Sequence, residues 1–181
     1  TAQSATITIT GANDAPTVGD PVSATFSEDD SSASVDMLTG ASDVDTNDTL
    51  SVTNINTVSG DSSPFTIVND MTIQFDPNAY NSLADGESEE VILTYYVVDG
   101  KGGSAAQTAT ITINGANDAP EVSGPLSFTF NEDQGTQSAS LLDGASDPDA
   151  NDTLSVTGVS VSGDDSGISR SGADLTIDTS A

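Results

Sequence analysis

The chain has no cysteine, no histidine and no tryptophan, and only two basic residues, Lys101 and Arg170, among 181. Without cysteine there are no disulfides and no thiolate metal ligands. Without histidine the sequence lacks the commonest zinc ligand, the usual general base and the usual pH switch near neutrality. No apolar run is long: "VILTYYVV" at 91–98 is far too short to span a bilayer as a helix. Lys and Arg are what nucleic acids and anionic membranes require to displace counterions, so a net charge of −27 excludes both as partners.

What is abundant is acid. Asp outnumbers Glu by 23 to 6, which favours turns and ligand loops over solvated helices. Two carboxylates about 4 Å apart repel by roughly 1 kcal/mol in water and about 4 kcal/mol near a protein surface. With two basic side chains to set against 29 acidic ones, compaction calls for cations from outside.

The acids recur on a period. "GASDVDTNDTLSVT" at 40–53 returns as "GASDPDANDTLSVT" at 144–157, identical at 12 of 14 positions and 104 residues later. "GANDAP" stands at 11–16 and at 115–120, "ATITIT" (5–10) answers to "ATITIN" (109–114), and "FSEDD" (26–30) to "FNEDQ" (130–134). The same register is expected at "MTI" (71–73) and "LTI" (175–177). Internal repeats of this kind define the architecture before any single motif does. Residues 1–14 read as the last strand and linker of a preceding repeat, 15–118 as a complete repeat with its linker, and 119–181 as a partial second repeat. The chain therefore reads as a piece of something longer. A strand from elsewhere, such as residues 5–10 of another molecule, is expected to cover part of the gap in the second copy.

Within the complete repeat, apolar residues alternate: Val22, Ala24 and Phe26, then Ile111 and Ile113 with Thr between. Alternation with β-branched and aromatic residues predicts strands with one buried face. Candidate strands fall near 21–26, 33–38, 49–58, 64–68, 71–75, 91–98 and 105–113, separated by Gly, Asp, Asn and Pro. Seven short strands in about 100 residues, with no helical period, predict an all-β, immunoglobulin-like Greek-key sandwich in tandem copies.

Calcium is a hard cation that takes six to eight oxygens, and alternate carboxylates on a curled loop converge on one point. Asp43-x-Asp45-x-Asn47-Asp48 has that pattern without being an EF-hand, since Gly is absent from its sixth position. In an immunoglobulin-like sandwich the loop between the second and third strands shares one end with the loop holding Asp99 and with the linker Asn13-Asp14. Glu28 and Asp29 follow the first strand at the opposite end, toward the next linker, Asn117-Asp118. The second copy repeats the set at Glu132, Asp133, Asp147, Asp149 and Asp152. All of these except Asn47, fifteen residues, are the candidate calcium ligands. A calcium ion shared by Glu28, Asp118, Asp147 and Asp149 would stiffen the junction between repeats.

The stretch "AYNSLADGESEEVILTYYVVDGKGGSAAQTATITINGANDAP" (79–120) resembles the VCBS-type repeats of bacterial RTX adhesins and, more broadly, bacterial cadherin-like domains. The resemblance implies a calcium-stiffened extender of a large, secreted surface adhesin that projects a distal binding domain from the cell. Cadherins carry a Glu after the first strand, an acidic linker and a later Asp-x-Asp, matched here by Glu28, Asn117-Asp118 and Asp147-x-Asp149. The full "DxNDN" linker and the "DRE" block are absent, as are the Gly-Gly-x-Gly-x-Asp nonapeptides of an RTX β-roll. A carbohydrate- or surface-binding sandwich is the alternative, weakened by the lack of Trp; Tyr80, Tyr95 and Tyr96 are expected as core and strand residues. Catalysis is not expected. Glu89 and Glu90 are adjacent in a predicted strand and so face opposite ways, and no nucleophile–base pair is visible.

Overall fold

Alternating branched and polar residues give the repeat its strands, and each is held by the neighbour it pairs with. The structure, a computed structural model, describes residues 1–163 and 165–180. The chain divides into two units, Thr1–Ala116 and Asn117–Ala181. The first contains β1 (Val22–Ser27), β2 (Ala33–Asp36), β3 (Ser51–Ser59), β4 (Thr66–Val68), β5 (Thr72–Phe75), β6 (Ser88–Val98) and β7 (Ser104–Asn114). All seven lie where the alternation predicts them.

They form two sheets, in the orders β1-β7-β6-β3 and β2-β5-β4. β1 runs parallel to β7, with Ala24 opposite Ile111 and Phe26 opposite Ile113. The other pairings are antiparallel. The inward residues of β6 and β7 (Val91, Leu93, Tyr95, Val97, Ala109, Ile111, Ile113) join Ala33, Val35, Ile73 and Phe75 of the other sheet in one buried cluster. Full burial of each large aliphatic side chain stabilises by about 1.5–3 kcal/mol. This is an immunoglobulin-like β-sandwich.

Tyr95 ties the two layers together. Its ring is buried in β6, and its hydroxyl donates to the Met37 carbonyl just beyond β2 at 2.8 Å. Burial, with a smaller contribution from Asp36, raises its pKa to about 12. Tyr80 is also buried and donates to the Asp61 carbonyl. Tyr96 is a strand residue but not a core one: it lies on the outer face of β6, 44% exposed.

The second unit contains β8 (Glu121–Val122), β9 (Thr136–Ser140), β10 (Ala145–Ser146), β11 (Ile168–Ser171) and β12 (Asp174–Asp178). Its sheet β11-β12-β9 is the counterpart of β4-β5-β2. The sequence register needs a correction here. Val35 pairs with Ile73, and Ala139, 104 residues on from Val35, pairs with Leu175. Leu175 therefore occupies the place of Ile73, two residues from the position that matching "MTI" to "LTI" assigns. The turn accounts for one of the two residues: three, 69–71, join β4 to β5, whereas two, Gly172 and Ala173, join β11 to β12; the other is lost before β11, where Arg170 takes the place of Ile67.

Three segments with strand-like sequences are not strands. Residues 126–131 and 155–163 match β1 and β3 by position, yet neither pairs. In the first unit β1 hydrogen-bonds to β7 and β3 to β6, and the described second unit contains no counterpart of either partner. Residues 5–10, expected as a strand, are likewise unpaired. Ile7 and Ile9 are 86% and 90% exposed, whereas the matching Ile111 and Ile113 are fully buried. The same six-residue pattern is a strand where two neighbours flank it and irregular where none does.

Candidate metal centre

The β6–β7 loop places Asp99 at the end of the first unit where its leading linker arrives. Asp99 is buried. Its Oδ1 accepts from the backbone N–H groups of Lys101, Gly102 and Gly103 at 2.7, 3.0 and 3.0 Å. Successive N–H groups converge this way because Gly100 and Gly102 adopt φ of 73° and 114°, which glycine reaches without steric cost. Gly103 must also be glycine for space: a Cβ there would lie 2.3 Å from Asp99 Oδ2 and 2.7 Å from the Ala15 Cα. The Asn13 side chain donates to Asp99 Oδ2 at 2.8 Å. That bond, followed by the Lys101 N–H, holds the Asp99 pKa below its ordinary value.

The β2–β3 loop arrives at the same place. Asp45 N donates to Asp43 Oδ1 at 2.9 Å, and Asp48 N to the Asp45 carbonyl at 3.0 Å. These two bonds curl the loop. Asp45 Oδ2 then accepts from Asp14 N at 2.8 Å, so the linker is tied to both loops, through Asn13 to Asp99 and through Asp14 to Asp45. One carboxylate oxygen from each of Asp43, Asp48 and Asp99 lies within 4.8 Å of the others. Asp43 Oδ2 and Asp48 Oδ2 are buried with no hydrogen-bond partner. Desolvation raises the Asp48 pKa, reinforced by the charges of Asp45, Asp43 and Asp99 and opposed by Lys101.

The second unit repeats this construction. Asp118 N donates to Asp149 Oδ2 at 2.9 Å, Asp149 N to Asp147 Oδ1 at 3.2 Å and Asp152 N to the Asp149 carbonyl at 3.2 Å. Asn117 donates to the Asp118 carbonyl just as Asn13 does to that of Asp14. Every donor and acceptor is displaced by 104 residues. Asp147, Asp149 and Asp152 each bring an oxygen within 4.8 Å of the others, and Asp149 is buried with an unpartnered Oδ1.

Not every candidate residue joins a cluster within its own unit. Glu28 is buried at the end of β1, where its Oε1 accepts from Ala116 N at 2.7 Å and holds the start of the outgoing linker. Asp29 is exposed beside Ser27, its N–H directed at the Ser27 hydroxyl. Glu132 and Asp133 are exposed. Asp133 N donates to the Thr179 carbonyl. Sequence reasoning overlooked Lys101 and the glycines beside it. The run Asp-Gly-Lys-Gly-Gly, in which flexible residues follow an acid directly, was the available signal.

Oxygen alone is on offer in these clusters, which suits hard divalent cations. The unpartnered buried oxygens are the atoms such a cation would take.

The family model for the cadherin-like domain matches residues 12–114, more than half of the chain, and the chain belongs to that family, a class of adhesion-type extracellular module. No curated protein matches the sequence. Among solved structures, the chain is similar to the PKD domain of human KIAA0319, with 13% identity over 63% of this chain and 88% of that one at a TM-score of 0.34. It is also similar to a nucleoside hydrolase-related hypothetical protein from Saccharophagus degradans associated with carbohydrate metabolism, with 21% identity and a TM-score of 0.30. That match covers 57% of this chain and 26% of the other. Neither likeness bears on function. No helix among the described residues is long and apolar enough to cross a membrane.

Proposed function

We propose that this chain is a calcium-stabilised extender segment of a large bacterial surface adhesin of the RTX-exported kind, without catalytic activity, whose distal ligand is bound by other domains. One observation carries the reading. Asp43 Oδ2 and Asp48 Oδ2 are buried and unpartnered beside Asp99, in a cluster whose loops also hold the linker through Asn13 and Asp14. Bound calcium would supply positive charge to carboxylates that otherwise repel one another. The chain's own residues supply the rest: Asp45 and Asp99 hold the linker, the N–H groups of Lys101, Gly102 and Gly103 hold Asp99, and the sandwich holds both loops. Asp147, Asp149 and Asp152, with Asp118 tied to Asp149, would do the same for the second unit. Neighbouring repeats of the parent chain are the partners, and a linker held by its domain is a spacer instead of a hinge.

The test is a thermal melt in EGTA, in excess calcium and in excess magnesium. A ligand that binds only the folded state adds about 2.7 kcal/mol at a hundredfold excess over its Kd. For a domain of about 100 residues that is roughly 10–20 °C per site. Magnesium should restore little of it. A melt that is the same in chelator and in calcium rules the reading out.

A further inference from the structure

Tyr96 stands where no packing requires an aromatic ring. It is exposed on the outer face of β6, with Ala106 of β7 and Thr53 of β3 as its cross-strand neighbours. Neither is large enough to cover the ring. Two residues back along β6, Thr94 lies between Thr108 of β7 and Asn56 of β3. The β3 ladder shifts register between Thr53 and Asn56, and Asn54 takes a φ of 53° there. Such a bulge re-aims side chains. Asn56 Nδ2 donates to the Asn54 carbonyl at 2.9 Å, which fixes the bulge and the Asn56 amide together. Asn54, Asn56, Thr94, Tyr96, Ala106 and Thr108 line a groove of about 540 Å³. Charge is absent from it. Among the outward positions of β1, β7, β6 and β3 the one carboxylate is Glu90, three ranks along β6 from Tyr96. In a chain of net charge −27, a face of hydroxyls, amides and one aromatic ring is the exception.

We propose that this face of the first unit binds a neutral glycan chain, with the Tyr96 ring stacked on the C–H face of one sugar and Asn54, Asn56, Thr94 and Thr108 bonding to sugar hydroxyls. The chemistry selects this occupant. A sugar ring has an apolar face of C–H bonds and a rim of hydroxyls that both donate and accept. Tyrosine offers an apolar body to the first, and amides and hydroxyls answer the second in either sense. A metal cation finds no carboxylate in the groove. An anionic polymer is repelled by the net charge of −27, and so is a second copy of the chain. A neutral polyhydroxylated ligand meets neither objection. The site is separate from the acidic loops, so it stands whether or not they hold calcium. It would let a spacer grip neutral polysaccharide along its length as well as carry a distal domain.

The experiment titrates the isotope-labelled 181-residue chain, kept in calcium, with cellohexaose, maltohexaose, mannohexaose and laminarihexaose, and follows the amides by NMR. A hyaluronan hexasaccharide is the anionic comparison. At least one neutral hexaose should move the amides of Asn54, Asn56, Thr94, Tyr96 and Thr108 together at millimolar concentration, and hyaluronan should not. Tyr96→Ala should weaken that binding about tenfold or more, while the amides of the buried core keep their positions. Tyr96→Phe, which keeps the ring, should stay within about twofold of the parent. No response to any neutral hexaose, a response that survives in Tyr96→Ala, or equal binding of hyaluronan overturns the proposal. Sedimentation velocity on the same samples checks the rival occupant: self-association that Tyr96→Ala abolishes would assign the face to a second copy and overturn the glycan reading.

Discussion

Replacing Tyr95 by Phe removes one oxygen atom from the middle of the sandwich, and its cost can be worked out from its surroundings. The hydroxyl donates to the Met37 carbonyl at 2.8 Å; Tyr95 is 1% exposed and Met37 is fully buried. Met37 N is already committed to the Met71 carbonyl at 2.8 Å, and the burial of both residues shuts the abandoned acceptor off from solvent. Leaving a buried carbonyl unsatisfied costs about 1–3 kcal/mol. For a domain of this size each kcal/mol moves the melting temperature by about 4–8 °C, so a fall of roughly 5–15 °C is expected. Circular dichroism melts of the parent and Tyr95→Phe, each in EGTA and in calcium, measure it. Tyr95 touches no candidate ligand, so the increment added by calcium should be the same in both proteins. Tyr96→Phe, on the outer face, is the control and should stay within about 0.5 kcal/mol of the parent. A Tyr95→Phe melt within about 2 °C of the parent would refute the view that this bond ties the layers.

Three further outcomes are expected. Gly103→Ala should displace the linker from Asp99, because its Cβ would collide with Asp99 Oδ2 and with the Ala15 backbone; calcium titration should show weaker binding at the first unit. Asp48 has a folded pKa raised above 3.8, so the stability it contributes is present below that value and is lost as pH rises through the folded pKa. In EGTA at neutral pH, Asp48→Asn should therefore melt above the parent, and in calcium it should gain less than the parent does. Hydrogen exchange should find the amides of β7 protected and those of residues 5–10, 126–131 and 155–163 fast, and equal protection across these segments would contradict their pairing.

The strands of the first unit were legible because alternation reports a buried face, and Val91 to Val97 or Ala109 to Ile113 show little else. Alternation does not report whether a partner strand exists. Ile7 and Ile9 repeat the pattern of Ile111 and Ile113 and still form nothing, since a strand is completed by hydrogen bonds from a neighbour. Turn length is equally silent in a repeat alignment: Gly172 and Ala173 do in two residues what Asn69, Asp70 and Met71 do in three, and this supplies one of the two residues by which Leu175 moves into the place of Ile73. At the site, loop order in the sandwich was enough to gather Asn13, Asp14, Asp43, Asp48 and Asp99. The division of labour among them was not visible, because it depends on which oxygen meets which N–H. Asp45 holds the linker, while Asp43 and Asp48 keep oxygens without a hydrogen-bond partner. Asp29, Glu132 and Asp133 share the acidity of the clustered residues but sit on exposed turns.

The linker-to-loop hydrogen bonds recur in the second unit although its segments 126–131 and 155–163, which match β1 and β3, pair with nothing. The bond from Asp14 to Asp45 spans 31 positions, as does that from Asp118 to Asp149, whereas β1 reaches β7 across 87, from Val22 to Ala109. Shorter separations cost less chain entropy to close and are reached sooner. In a chain that emerges amino-terminus first, the joint at the head of each repeat can set before the strands that finish the sandwich have appeared. Each linker would then be held by its own repeat while that repeat is still open.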